Sequence, residues 1–231
     1  ETYSPYLDRD LADIRVHDAG DLLFPFGNTA HTLNTIREME DRLLADRKMP
    51  VMLGGEHLVT LPAVECVAAR YPGLHVVHFD AHTDLRDEYL GESLSHATVI
   101  RRVWDILGDG RVHQMGIRSG EREEFAFARA HTDFHPFTCS AAAAIAADIG
   151  DAPVYVTIDL DVFDPSLFSG TGTPEAGGVF FNDLEKALLA LRRLNVVAAD
   201  ICELSPHYDP TGVSTAVACK VLREVLLAFV K

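Results

Sequence analysis

The sequence is poor in several things, and each shortage narrows what the protein can be. It has four cysteines in 231 residues. Cys66, Cys139, Cys202 and Cys219 include no CxxC pair, so neither a disulfide framework nor a thiolate zinc site is indicated. Three of the four sit in apolar runs, as free thiols do in a reducing compartment, and a cytoplasmic protein is expected. No apolar stretch approaches the ~20 residues of a membrane span, because Lys220, Arg223 and Glu224 interrupt the apolar C-terminal run. Positive charge is scarce: Lys and Arg number 20 against 35 Asp and Glu, a net charge of -15. Such a surface repels phosphate backbones and anionic lipid, so no nucleic acid and no membrane partner are expected. Repeats, low-complexity tracts and long linkers are lacking as well.

What remains, 48% hydrophobic and 24% charged, is the balance of an ordinary soluble domain, and residues 1–231 are expected to form a single one. A chain of this length buries roughly 70–75% of its unfolded surface, so it needs no metal merely to fold. Short apolar runs at 51–53, 75–79, 112–117, 154–158 and 196–201 predict strands. Between them, helical spacing covers 32–47, 59–70, 97–107, 122–130 and 141–147. Asn182 with Glu185 three residues on resembles a capping box that opens another helix, and 214–230 closes the chain. Strands apolar on both sides and alternating with helices predict an α/β fold, a three-layer αβα domain around a mainly parallel sheet. The Gly/Pro-rich stretch 165–178 is the longest run without a predicted element, and loops of that length are often functional.

In open α/β sheets, ligands bind beyond the carboxyl ends of the strands. Four of the five predicted strands run directly into acid or histidine: Gly54-Gly55-Glu56-His57, Asp80-Ala81-His82-Thr83-Asp84, Asp159-Leu160-Asp161 and Cys202-Glu203. A lone DxD after a strand serves equally as a helix N-cap, and a lone GGEH as a turn. Their recurrence after four of the five predicted strands is what points to a site. Asp80, Asp84, Asp159 and Asp161 brought together with His57 and His82 would repel one another unless cations or protons were present. Two divalent cations supply +4 against four carboxylates. Oxygen donors outnumber imidazoles and thiolates are absent, which favours two Mn2+ over structural zinc. Residues i and i+2 at a strand end point to the same side, so Asp80 and His82, or Asp159 and Asp161, can face one pocket.

GGEH at 54–57, DAHTD at 80–84, SHAT at 95–98, GIRSG at 116–120, TIDLDVFDPSLFSGTGTPEAGG at 157–178 and ADICELSPHYDPTG at 199–212 resemble, in order and nearly end to end, the arginase and agmatinase family of ureohydrolases. The opening ETYSPYLDRDLAD resembles the agmatinase branch. The resemblance implies an arginase-like fold and two Mn2+ bridged by a hydroxide. It assigns His57, Asp80, Asp84 and Asp159 to one ion and Asp80, His82, Asp159 and Asp161 to the other, with Asp80 and Asp159 bridging. The implied reaction is hydrolysis of a guanidino group through a tetrahedral intermediate to urea and an amine. By resemblance, Glu203 orients the substrate, as a carboxylate suits a planar guanidinium fork. His96 matches the proton-transfer histidine. Asp84 relays a proton to the leaving nitrogen, and Thr173 lines the substrate pocket. His75 and His78, inside a predicted strand, read as satisfied core residues. His17, His31, His113, His131, His135 and His207 are given no role, and Arg118 and Asp164 read as loop anchors.

Agmatine and arginine differ by the α-carboxylate. The loop 85–94 is acidic on balance and favours the distal ammonium of agmatine, giving putrescine and urea; Arg86 alone argues for an anion. Arginine, another guanidino acid, or a metal-binding member without activity are the alternatives. Ala97 stands where the family usually has Gly or Ser. The chain starts at Glu1 rather than Met, which predicts a fragment or processed product. The family usually carries several dozen residues before this point, including a strand inside the sheet, so two neighbouring strands are expected to lack a partner. A homo-oligomer, trimer or hexamer, is implied by resemblance alone.

Overall fold

The computed structural model describes residues 1–230. Two short strands, β1 (Tyr3–Ser4) and β2 (Arg9–Asp10), form an antiparallel pair near the N-terminus. The centre is a six-stranded sheet of β3 (Val51–Leu53), β4 (His75–Phe79), β5 (Val112–Met115), β6 (Asp133–His135), β7 (Pro153–Asp159) and β8 (Asn195–Cys202). Its order is β3-β8-β7-β4-β5-β6, and every neighbouring pair is parallel. Seven α-helices accompany it: α1 (Thr29–Ala45), α2 (Thr60–Arg70), α3 (Val99–Leu107), α4 (Arg122–His131), α5 (Ala142–Ile149), α6 (Phe181–Leu191) and α7 (Val213–Phe229).

Alternation along the strands builds the three layers. Val77, Phe79, Val154, Val156 and Ile158 pack with α5, α6 and α7 through Ile145, Leu184, Leu188, Val221 and Val225. Their neighbours Val76 and Tyr155 face the opposite way, onto Leu33 of α1, Leu61 and Val64 of α2, Ile100 and Val103 of α3 and Ala128 of α4. Successive strand residues point to opposite faces, and helices cover both, so the central strands carry apolar residues on both faces. The predicted αβα architecture is the observed one.

The chain winds outward from β4 through β5 to β6, then returns to lay β7 on the other side of β4 and β8 beyond it. The winding direction therefore reverses between β4 and β7, and a crevice opens at their carboxyl ends. The open interior expected from the sequence is not found, because the six strands pair without a gap and the free edges are the outer ones, along β3 and β6.

Three local features differ from the sequence pattern. No apolar run marks strand β6, whose three residues, Asp133-Phe134-His135, are half-buried. Strand β5 stops at Met115 rather than 117 because Gly116 adopts φ 88, and a Cβ there would sit 2.6 Å from Val162 Cγ2. Helix α6 is capped by Asp183, whose carboxylate accepts from the Phe180 amide at 3.0 Å, not by the Asn182–Glu185 pair.

Glu185 instead turns inward toward α7, is only 3% exposed, and among the described residues has no hydrogen-bond partner for either carboxylate oxygen. Burial, with the nearby Glu224 carboxylate second, pushes its carboxyl up to about 7. A carboxyl raised in the folded state favours folding while protonated, and that contribution is lost as pH rises from the ordinary carboxylate range through about 7. Glu185→Gln is expected to stabilise the protein by about 1–3 kcal/mol near pH 8. The difference should close near pH 4–5, roughly where the unfolded carboxyl titrates. Denaturant unfolding at the two pH values checks the sign.

Candidate active site

All the acid and histidine clusters that follow the strands meet in the crevice. Asp80 follows β4, Asp159 is the last residue of β7, and the two strands are hydrogen-bonded neighbours. Asp161 lies in the 3-10 turn Leu160–Val162, where the Asp159 carboxylate caps the Asp161 amide at 2.8 Å. His57 opens the 3-10 turn His57–Val59 after β3, and Glu203 follows β8. Asp84 and Glu203 have φ of 52 and 65, in the left-handed region that non-glycine residues seldom occupy. Strain of this kind collects at functional sites.

The distances sort the six expected ligands into two groups sharing Asp80. His57 Nδ1 faces Asp80 Oδ2 at 3.2 Å, Asp84 Oδ2 at 3.0 Å and Asp159 Oδ2 at 3.4 Å. His82 Nδ1 faces Asp161 Oδ2 at 3.0 Å and Asp80 Oδ1 at 3.4 Å. One Asp80 oxygen thus points to each group, the arrangement a bridging carboxylate requires. Asp159 offers Oδ2 to the His57 group, while its Oδ1 is taken by the Asp161 amide.

His78 also reaches the cluster, with Nε2 at 2.8 Å from Asp80 Oδ2, and is more than a satisfied core residue. Its neighbour on β5 settles its tautomer. The Gln114 side-chain amide nitrogen donates to the Thr83 carbonyl at 2.9 Å and lies 3.1 Å from His78 Nδ1. That nitrogen can only donate, so His78 Nδ1 accepts and Nε2 carries the proton toward Asp80. With Nε2 donating, His78 holds the Asp80 carboxylate in place. The spacing of His78 and Asp80, i and i+2 across the end of one strand, is the signal in the sequence that points to it.

The electrostatics are those of a site with surplus negative charge. Burial, and then the Asp80 carboxylate, pushes Asp84 up to about 7. Burial with the Asp161 and Asp80 charges holds Asp159 well above the ordinary carboxylate range, and burial with Asp80 raises Asp161. Asp80 runs the other way: burial opposes its ionisation, but His57, His78 and His82 outweigh it and hold the carboxyl well below its usual range. Burial opposes a charged His82, yet Asp161 and Asp80 carry it up to about 11. Without other cations the cluster holds protons in their place. The ligand atoms of Asp80, His82 and Asp161 lie within 4.8 Å of one another, as do those of His57, Asp80 and Asp84. Closely grouped oxygen and imidazole donors with carboxyls short of positive charge fit a pair of divalent cations.

Above the cluster lies a cavity of about 320 Å3, with His57, Asp84, Asp159 and Glu203 among its floor residues and Arg86, Tyr89, His96, Glu121 and Thr173 in its walls. A larger depression of about 510 Å3, near Tyr71, Leu107 and Arg111, has no comparable acid and histidine cluster. The His57 amide donates to Glu203 Oε1 at 2.9 Å, which fixes the carboxylate beside the floor, and burial raises its carboxyl to about 7. His96 is 44% exposed, stands edge-on to Tyr89 at 5.6 Å, and has Nδ1 3.9 Å from Glu56 Oε2. Ala97 is accommodated in the 3-10 turn His96–Thr98. Thr173 Oγ1 lies 3.3 Å from Asp161 Oδ2, so it contacts the acidic cluster as well as lining the cavity.

Arg86, whose direction the sequence left open, is committed to the protein. Its guanidinium meets Glu121 at 3.2 Å and Glu124 at 3.3 Å, and it lies 5.0 Å from the centre of the Tyr89 ring. Arg118 anchors the 165–178 loop as expected, though through carbonyls rather than an ion pair: it donates to Asp161 at 2.8 Å, Val162 at 3.0 Å and Glu175 at 2.8 Å. Asp164 accepts from the Gly177 and Gly178 amides at 2.9 and 3.1 Å. The approach is so close that a Cβ on Gly178 would fall 2.3 Å from the Asp164 nitrogen. His113 and His135, assigned nothing from sequence, both pair with Asp133, at 2.8 and 2.7 Å, away from the site.

The model of the arginase family matches residues 1–228. The agmatinase of Halalkalibacterium halodurans is 44% identical over 237 residues, covering 100% of this chain and 81% of that protein. The agmatinase of Bacillus cereus is 45% identical over 235 residues, with the same coverage. A solved structure from Clostridium difficile superposes with a TM-score of 0.97 at 48% identity, covering 100% of this chain and 85% of that one. Fold, strand-end clusters and sequence similarity along the whole of this chain agree, and the chain belongs to the arginase family.

Proposed function

We propose that this protein is an agmatinase-type ureohydrolase that cleaves the guanidino group of agmatine to putrescine and urea, with two Mn2+ held by His57, Asp80, His82, Asp84, Asp159 and Asp161. The observation that carries the substrate choice is the committed Arg86: among the described residues that line the cavity it is the one Lys or Arg, and Glu121 and Glu124 take its charge. Similarity to agmatinases along the whole of this chain supports the same choice. When bound, the two cations would supply Lewis acidity, lowering the pKa of a shared water toward neutrality.

The chain's own residues do the rest. Glu203, its Oε1 fixed by the His57 amide, leaves Oε2 for the guanidinium and places that planar group against the floor. Asp84, in the cluster beside His57, passes a proton on at its carboxylate. His96, half-exposed in the cavity wall, gives a proton to the departing amine. Thr173 narrows the cavity over Asp161. Residues 1–231 act in this reading as a single catalytic domain of a cytoplasmic homo-oligomer.

The test is urea release from agmatine and from arginine, side by side, after loading with Mn2+. Agmatine is expected to win by at least about 100-fold in kcat/KM, equivalent to about 2.7 kcal/mol of transition-state binding. Faster release from arginine would overturn the substrate, and no release from either would overturn the activity.

A further inference from the structure

Behind the His57 ring, on the side away from the cavity, β7 and β8 bury a polar network that the proposed reaction leaves unused. At its centre is Asp200 on β8, 0% exposed. Its four partners are all neutral donors. Oδ2 accepts from the Thr60 hydroxyl at 2.8 Å and the Tyr155 hydroxyl at 2.6 Å. Oδ1 accepts from the Thr157 hydroxyl at 2.7 Å and the Cys202 thiol at 3.4 Å. Among the described residues no Lys, Arg or His forms an ion pair with Asp200. A buried carboxylate without a cation is costly, and an apolar residue would pack the same space with less loss.

Proton counting shows what the arrangement accomplishes. Thr157 has one hydroxyl proton, and a carboxylate only accepts, so that proton belongs to Asp200. The oxygen lone pair left on Thr157 faces His57 Nε2 at 2.9 Å, so Nε2 is the donor in that contact. Nδ1 is thereby the nitrogen presented to Asp80, Asp84 and Asp159. Were the Thr157 hydroxyl free to turn, it could donate to Nε2 instead and leave the ring proton on Nδ1, where it would block a metal. Histidine ligands are commonly held by such outer partners, at the far nitrogen.

We propose that Asp200, acting through the Thr157 hydroxyl, is a positioning residue that holds His57 in its Nε2-protonated form and aims Nδ1 at the metal centre. This rests on the reading of His57 as a metal ligand but not on which guanidino compound is cleaved. Neither Asp200 nor Thr157 lines the substrate cavity.

The experiment is a Mn2+ titration of the metal-free full chain, reading unbound Mn2+ by its electron paramagnetic resonance signal. Thr157→Val keeps the side-chain shape without the hydroxyl and is expected to weaken binding of one Mn2+ by about 10- to 100-fold. Thr157→Ser, which restores the hydroxyl, should bring affinity back close to the wild-type value. Asp200→Asn should weaken binding comparably, and the Thr157→Val/Asp200→Asn double variant should be no weaker than the worse single one, since both act through one hydroxyl. Wild-type affinity in Thr157→Val would overturn the proposal, as would losses that multiply in the double variant. Thermal melting of the metal-free proteins separates a merely structural role: a lowered Tm with unchanged Mn2+ affinity also overturns it. Should Asp200→Asn fail to fold, the Val and Ser pair decides. A wild-type chain that binds Mn2+ tightly without releasing urea refutes the proposed activity and leaves the positioning role standing. One that binds no Mn2+ refutes both.

Discussion

Asp80→Asn is expected to abolish urea release and to strip the centre of metal. Each Asp80 oxygen already receives a donor: Oδ2 the His78 Nε2 proton at 2.8 Å, Oδ1 the His82 amide at 2.5 Å. The same oxygens face His57 and His82 from the two halves of the cluster. An asparagine must turn its NH2 toward one of those donors, and it removes the one carboxyl in the cluster that is held below its usual range. Both halves lose an anionic ligand at once, so no rotamer rescues the site. A fall in kcat/KM on the order of 10^4-fold, about 5.5 kcal/mol, is expected. Metal analysis should show fewer than two ions per chain. Retention of both ions together with activity would remove Asp80 from the bridging position.

Glu203→Gln should separate substrate binding from metal binding. The amide oxygen can still accept from the His57 amide, so the backbone at φ 65 and the neighbouring ligands keep their places. What disappears is the charge opposite the guanidinium. Loss of the charge-assisted hydrogen bonding at Oε2 removes about 2–3 kcal/mol, or about 30- to 150-fold in kcat/KM, with the metal content unchanged. Steady-state kinetics on agmatine and metal analysis of the same preparation check both halves of the expectation. A parallel loss of metal would make Glu203 a support of the centre instead of the group that orients substrate.

Much of this site is legible in sequence because its signals are local. A strand that ends in Asp80-Ala81-His82, or Asp159-Leu160-Asp161, points alternate residues the same way whatever surrounds it, and parallel strands bring all such ends to one edge. His57, Asp80, His82, Asp84, Asp159, Asp161 and Glu203 meet for that reason. Apolar runs likewise determine the αβα layering, since only a sheet covered on both faces calls for strands apolar on both sides.

Other features depend on partners that are distant in the chain. Strand β6 is defined by pairing with β5, not by its own residues. His78 is indistinguishable from a core histidine until Gln114, one strand away, determines which nitrogen bears its proton. Arg86 has either of two meanings in the loop sequence, and Glu121 and Glu124 on another segment choose between them. Asp200 is one more polar residue in a buried strand until register sets it beside Thr157 and, through Thr157, behind His57. The sequence by itself determined which chemical groups stand at the strand ends. Tertiary structure alone decided their protons and partners, because hydrogen-bond direction is set by the neighbour across the sheet and not by the neighbour along the chain.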